Sequence, residues 1–154
     1  MTEPGYNYRA SDIHCALGLS QLRKLDRFLA RRRELADLYD GALTRLAPLV
    51  RPVPRISGNS SGWHLYVVRI DFARAGKSRA ALMRGLRDRG IGTQVHYLPV
   101  HRQPYYRALC GEKRLPGADA YYSSCLSLPF FPAMSEGDVR RVASSLATEL
   151  DFTG

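Results

Sequence analysis

The chain has 154 residues, 45% of them hydrophobic and 24% charged, with 23 Lys plus Arg against 14 Asp plus Glu for a formal charge of +9. These values exclude a wholly disordered or collagen-like chain, and the length is that of one domain able to fold without a metal or disulfide. Three widely spaced cysteines, Cys15, Cys110 and Cys125, exclude a disulfide framework and a CxxC site and read as reduced, buried thiols.

The opening residues Met1 to Gly5 hold no basic segment followed by an apolar stretch, so neither a secretory signal nor a transit peptide is read there, and cytoplasm is the default compartment. Residues 1–10 read as an arm. From 11 to 47, Ile13, Ala16, Leu17, Leu22, Leu25, Phe28, Leu29, Leu35, Leu38, Tyr39, Ala42 and Leu46 recur at steps of three and four with few exceptions, which predicts one long amphipathic helix. Ser11 or Asp12 caps it, Pro48 closes it, and Arg23, Lys24, Arg27 and the run Arg31 to Arg33 occupy its polar face. At ~1.5 Å per residue such a helix would span about 50 Å, more than a small domain's diameter, so it bends or packs on something else.

Residues 48–62, with three prolines and two glycines, read as an irregular connector, and 63–152 as a small α+β domain. Within that domain WHLYVVRID, Trp63 to Asp71, predicts a strand, and Ser78 to Arg89 predicts a helix stopped by Gly90. A second strand is expected from Gly92 to Tyr97, then a Tyr-rich turn, a helix from Gly117 to Ser124, an apolar segment Cys125 to Leu128 and a last helix from Ser135 to Leu150. Helices on one face of a small sheet are the expected architecture. The charge-free stretch Tyr121 to Ser135, interrupted by prolines, is too short to cross a bilayer.

Two segments carry candidate chemistry. In Gly5-Tyr6-Asn7-Tyr8-Arg9, Asn7 and Arg9 point the same way if the arm is extended, and an amide with a guanidinium can donate several hydrogen bonds to phosphate oxygens; the alternative is an arm that binds nothing. In Gln94 to His101, His96, Tyr97 and His101 cluster after a predicted strand, suited to hydrogen bonding or proton transfer, against a purely structural role for each. Two histidines without a Cys cluster or HExxH pattern do not make a zinc site, so no metal is expected. The +9 charge and the Arg31 to Arg33 run leave open a basic nucleic-acid-binding domain, although no reader motif accompanies them.

Three blocks, GYNYRASDIHCALGLSQLRKLDRF (5–28), GIGTQVHYLPVHRQPYYR (90–107) and LSLPFFPAMSEGDVRRV (126–142), together with WHLYVVRID between them, resemble in order and spacing the C-terminal part of the DegT/DnrJ/EryC1/StrS sugar aminotransferases. The resemblance covers essentially the whole chain. It implies the small C-terminal domain of a fold-type I, pyridoxal 5'-phosphate-dependent enzyme that moves an amino group, from glutamate, to a UDP-linked 4-keto-6-deoxy sugar in surface polysaccharide biosynthesis. It implies a homodimer in which Asn7 reaches the phosphate of the neighbouring subunit's cofactor, and it puts Arg9, His96, Tyr97 and His101 near the bound sugar nucleotide.

The same resemblance places the lysine that carries the cofactor in a large domain upstream of GYNYR. None of Lys24, Lys77 and Lys113 has a motif that would replace it, so no catalytic residue is assigned and the chain alone is expected to be inactive. A second reading is a non-catalytic dimerisation or interaction module that docks onto a large pyridoxal phosphate domain.

Overall fold

A computed structural model describes residues 3–6 and 8–152. Asn7 lies outside the described residues. The described residues ahead of Ser11 are exposed, and the rings of Tyr6 and Tyr8 stack there with centroids 5.6 Å apart. Helix α1, Asp12–Leu22, follows; Ser11 Oγ accepts from the His14 amide as its N-cap.

The single long helix expected over 11–47 is two. At Arg23 and Lys24 the i→i−4 ladder gives way locally to a tighter bond, Lys24 N–H to Gln21 O at 3.0 Å, before α2, Leu25–Leu43, begins. Only α2 joins the core, burying Leu35, Ala36, Tyr39 and Leu43, whereas α1 buries no residue. The apolar spacing runs through the break unchanged, so periodicity does not mark it.

The expected connector 48–62 also contains structure. Strand β1, Val50–Pro52, pairs antiparallel with β2, Tyr66–Ile70, which pairs antiparallel with β3, Cys125–Leu128, for a sheet order β1-β2-β3. Pro52 is tolerated because β1 is an edge strand. Between β2 and β3 lie α3, Arg79–Asp88, α4, Pro104–Cys110, and α5, Pro116–Ser124; α6, Glu136–Glu149, closes the chain.

Alternation along β2 sends Tyr66, Val68 and Ile70 into the core, where α2 and α3 both pack against α6. Leu82, Leu86, Leu126, Val139, Val142 and Leu146 complete that interior. Full burial of such side chains stabilises by ~1.5–3 kcal/mol each. The opposite face of β2 meets α5, since Arg69 Nε donates to Ser124 Oγ at 3.2 Å. Helix α3 is capped by Ser78 and stops at Gly90, whose φ of +74° is a left-handed conformation open to glycine. Helix α6 starts with a reciprocal capping box between Ser135 and Asp138. Those backbone and side-chain hydrogen bonds from Ser135 hold the Asp138 carboxyl below the usual carboxylate range.

An aromatic cluster joins α2 to the sheet. Tyr39 and Tyr66 stack 4.6 Å apart, and Phe130 lies 5.9 Å from Tyr66. Each buried phenol has a polar outlet: Tyr39 OH donates to Pro129 O at 2.8 Å and Tyr66 OH to Asp40 Oδ1 at 2.6 Å. Burial pushes both phenols above their ordinary range.

Two further expectations are corrected. Strand Gly92 to Tyr97 reduces to a single antiparallel bridge, Gln94 to Ser127, because the chain then turns away toward Pro99. Of the three cysteines only Cys125 is buried; Cys15 sits on the uncovered α1 and Cys110 ends the exposed α4. Among the described residues no helix is long and apolar enough to cross a membrane.

Candidate functional site

The HYLPVH loop owes its position to β3. Gln94 and Ser127 exchange backbone bonds of 3.1 and 2.8 Å, which pins the start of the loop to the edge of that strand. Ser127 is the buried polar residue of the interior, 4% exposed, and its hydroxyl lies 2.8 Å from His96 Nδ1. His96 Nε2 has no partner among the described residues. The Tyr97 ring stands edge-on to His96 at 4.7 Å and is itself 72% exposed.

His101 follows one turn later, after Pro99, with only 9% of its side chain exposed. Its Nε2 lies 3.2 Å from Asp119 Oδ1, an oxygen that also takes the Arg102 guanidinium at 2.8 Å. Asp119 in the first turn of α5 therefore ties the loop to that helix. Beside it opens a cleft of about 600 Å³ lined by Leu98, His101, Arg102, Arg107, Lys113 and Arg114, with Glu112 and Asp119 as its carboxylates. Arg107 pairs with Glu112. Tyr105, Leu109 and Val100, all more than 60% exposed, continue the loop surface as an apolar-aromatic patch.

The structure thus brings His96 and Tyr97 into contact and sets His101 at a basic cleft on the same loop. Arg9 is exposed on the arm and, among the described residues, is bonded to none of these three. Four cations at that cleft, Arg102, Arg107, Lys113 and Arg114, were not singled out from sequence; their clustering just after HYLPVH was the signal available. Thr93 Oγ1, at the base of the loop, is buried without a hydrogen-bond partner among the described residues.

The Arg31 to Arg33 run is not a free phosphate-neutralising stripe. Arg31 bonds Glu34 and Met134 O, Arg32 bonds Trp63 O at 2.6 Å, and Arg33 bonds Ser60 Oγ at 3.1 Å. A second cleft of about 590 Å³ opens near them, between α2 and residues 52–66. There Arg55 bridges Asp37 at 2.8 Å and Asp40 at 2.6 Å and lies 4.8 Å from the Trp63 ring centroid, so its charge is satisfied internally. Among the described residues no group of three or more His, Cys, Asp or Glu side chains could hold a metal ion.

Lys77 donates to Glu149 O at 2.6 Å and to its carboxylate at 2.8 Å. Lys24 opens α2 at the helix break, and Lys113 lies on the open rim of the basic cleft.

The sequence pattern of the DegT/DnrJ/EryC1/StrS aminotransferase family matches residues 1–147. The chain is 40% identical over 146 residues to the spore coat polysaccharide biosynthesis protein SpsC of Bacillus subtilis, covering 93% of this chain and 37% of SpsC. In three dimensions it superimposes with a TM-score of 0.88 on PseC of Helicobacter pylori, an aminotransferase involved in the biosynthesis of pseudoaminic acid, at 29% identity over 97% of this chain and 40% of that one. The aminotransferase TlmJ of Streptoalloteichus hindustanus matches with a TM-score of 0.85 and 34% identity, over 97% of this chain and 39% of its own. The chain therefore spans about two fifths of the length of these relatives. The chain belongs to the DegT/DnrJ/EryC1/StrS aminotransferase family.

Proposed function

We propose that these residues are the C-terminal part of a pyridoxal phosphate-dependent sugar aminotransferase, which moves an amino group from glutamate to a UDP-linked 4-keto-6-deoxy sugar in surface polysaccharide synthesis. The observation that carries this reading is helix α1. Ile13, Leu17, Leu19 and Leu22 are 81, 58, 53 and 65% exposed, and the helix buries none of its residues. Ile13 and Leu17 lie on one side of the helix and Leu19 and Leu22 on the other, and exposed apolar surface of that extent, joined to the GYNYR arm, is where the rest of a longer protein would pack. The orphan hydroxyl of Thr93 supports the same reading, because a buried polar group left unpaired is costly unless a partner arrives from outside.

Pyridoxal phosphate supplies, when bound, the electron sink for amino transfer. This chain's residues bind and orient. Asn7 and Arg9 of the arm would donate hydrogen bonds to anionic oxygens of the cofactor and of the sugar nucleotide in a neighbouring subunit of a cytoplasmic homodimer. His96, with Nδ1 turned to Ser127, keeps Nε2 for a sugar hydroxyl, and Tyr97 beside it offers a ring face and a phenol. His101, braced by Asp119, stands at the basic cleft where negative charge is favoured.

On this account the isolated 154 residues, given pyridoxal phosphate, glutamate and a UDP-4-keto-6-deoxy sugar, form no amino sugar. Turnover by the purified chain overturns it. A second reading, a docking module for a separately encoded large domain, rests on the same exposed surface of α1 and is distinguished by whether the protein in its source cells is longer than this chain.

A further inference from the structure

We propose that the groove between the solvent face of β1–β2 and the C-terminal end of α5 binds a phosphate-type oxyanion through Arg51, Arg69 and Arg74. The antiparallel register makes Arg51 and Arg69 direct cross-strand partners. The flanking bonds, Asp71 N–H to Leu49 O at 3.0 Å and Val53 N–H to Val67 O at 3.2 Å, mark the 49–71 and 53–67 pairs as hydrogen-bonded, so by alternation the 51–69 pair is too. Val50, Val68 and Ile70 point into the core, and the Arg51 and Arg69 side chains therefore leave the sheet from the same, exposed face and line one groove. Like charges directly opposite each other in a sheet are destabilising.

Six arginines have a carboxylate partner, among them Arg31 with Glu34, Arg89 with Glu149, Arg102 with Asp119 and Arg140 with Glu136. Among the described residues Arg51, Arg69 and Arg74 have no ion-pair partner. Asp71 lines the same groove, but its Oδ1 accepts from the Arg74 backbone N–H at 3.0 Å, turning the loop rather than pairing a guanidinium. Arg69 is aimed: its Nε donates to Ser124 Oγ, which in turn donates to Ala120 O at 2.9 Å, and this leaves both terminal nitrogens for a ligand. The groove has a volume of about 670 Å³, ample for phosphate, and shares no lining residue with the cleft at His101.

Planar guanidinium forks match a tetrahedral oxyanion bidentately, and a dianion set between Arg51 and Arg69 turns their repulsion into a bridge that fastens the edge strand to β2. The ion is either free phosphate or the terminal phosphate of a nucleotide; both present the same oxygens.

The test is thermal melting of the 154-residue chain at constant ionic strength in chloride, inorganic phosphate or uridine monophosphate, with Arg51→Gln and Arg69→Gln beside the parent. Phosphate, free or carried by uridine monophosphate, should raise the melting temperature above that in chloride. Each substitution should weaken the fitted phosphate affinity at least tenfold, while in chloride Arg51→Gln melts no lower than the parent because a repulsion has been removed. An effect of both anions identifies free phosphate as sufficient, and an effect of the nucleotide alone identifies a carried phosphate; either supports the site. Equal melting in all three salts, phosphate response retained in both variants, or a lower melting temperature of Arg51→Gln in chloride overturns it.

Discussion

Ser127 Oγ lies 2.8 Å from His96 Nδ1, so the one buried serine of β3 sets the orientation of the histidine that heads the HYLPVH loop. Ser127→Ala removes that bond and is expected to cost about 1 kcal/mol in denaturant unfolding. The loop should loosen before the fold does. Faster amide exchange at Gln94, with the α6 amides unchanged, is the measurement that checks it.

Gly85 on α3 faces Glu149, and an added Cβ would collide with that carboxylate. Glu149 cannot swing away freely, being held by Lys77 at 2.8 Å and Arg89 at 2.7 Å. Alanine in place of a helical glycine is ordinarily worth about 1 kcal/mol. Here Gly85→Ala is expected to destabilise by about 1–2 kcal/mol in the parent, yet to stabilise by about 0.5–1 kcal/mol in a Glu149→Ala background. A double-mutant cycle by urea unfolding tests the change of sign.

Hydrogen bonds from Lys77 and then Arg89 hold the Glu149 carboxyl below the usual carboxylate range. A folded-state pKa lower than the unfolded one contributes stability that is fully present above the unfolded value of about 4.3 and is lost as pH falls through the folded value. The parent should therefore exceed Glu149→Gln in stability at pH 7, with the gap closing below about pH 4. Denaturant midpoints of both proteins between pH 7 and pH 3 report this.

The elements that could be read from the sequence are those whose signals are local. Ser135 with Asp138 announces α6, Ser78 with Gly90 brackets α3, and the β-branched and aromatic run of WHLYVVRID marks β2. What was not legible depends on partners distant in sequence. Strand β1 is three residues ending in Pro52 and exists because β2 pairs with it, while the 92–97 segment becomes a bridge because its neighbours diverge. The helix break at Arg23 and Lys24 separates the part of the segment that the core holds from the part it does not, and no glycine or proline flags it. At the site, His96, Tyr97 and His101 were readable as a polar loop, but the braces Ser127 and Asp119 come from elements 31 and 18 residues away.

The α1 face and the core should respond oppositely to substitution. Leu35 is fully buried, and Leu35→Ala is expected to cost about 2–5 kcal/mol. Leu17→Glu on α1 should leave the unfolding free energy within about 0.5 kcal/mol and lower self-association at high protein concentration. Sedimentation velocity alongside urea unfolding separates the two effects.

These residues are proposed to act as the C-terminal part of a longer aminotransferase. This is tested most directly by the intact mass of the endogenous protein that contains residues 5–28, isolated from its source cells. The expected species lies well above the 17.3 kDa of this chain, retains pyridoxal phosphate and loses it on Asn7→Ala. A protein found only at 17.3 kDa would contradict it.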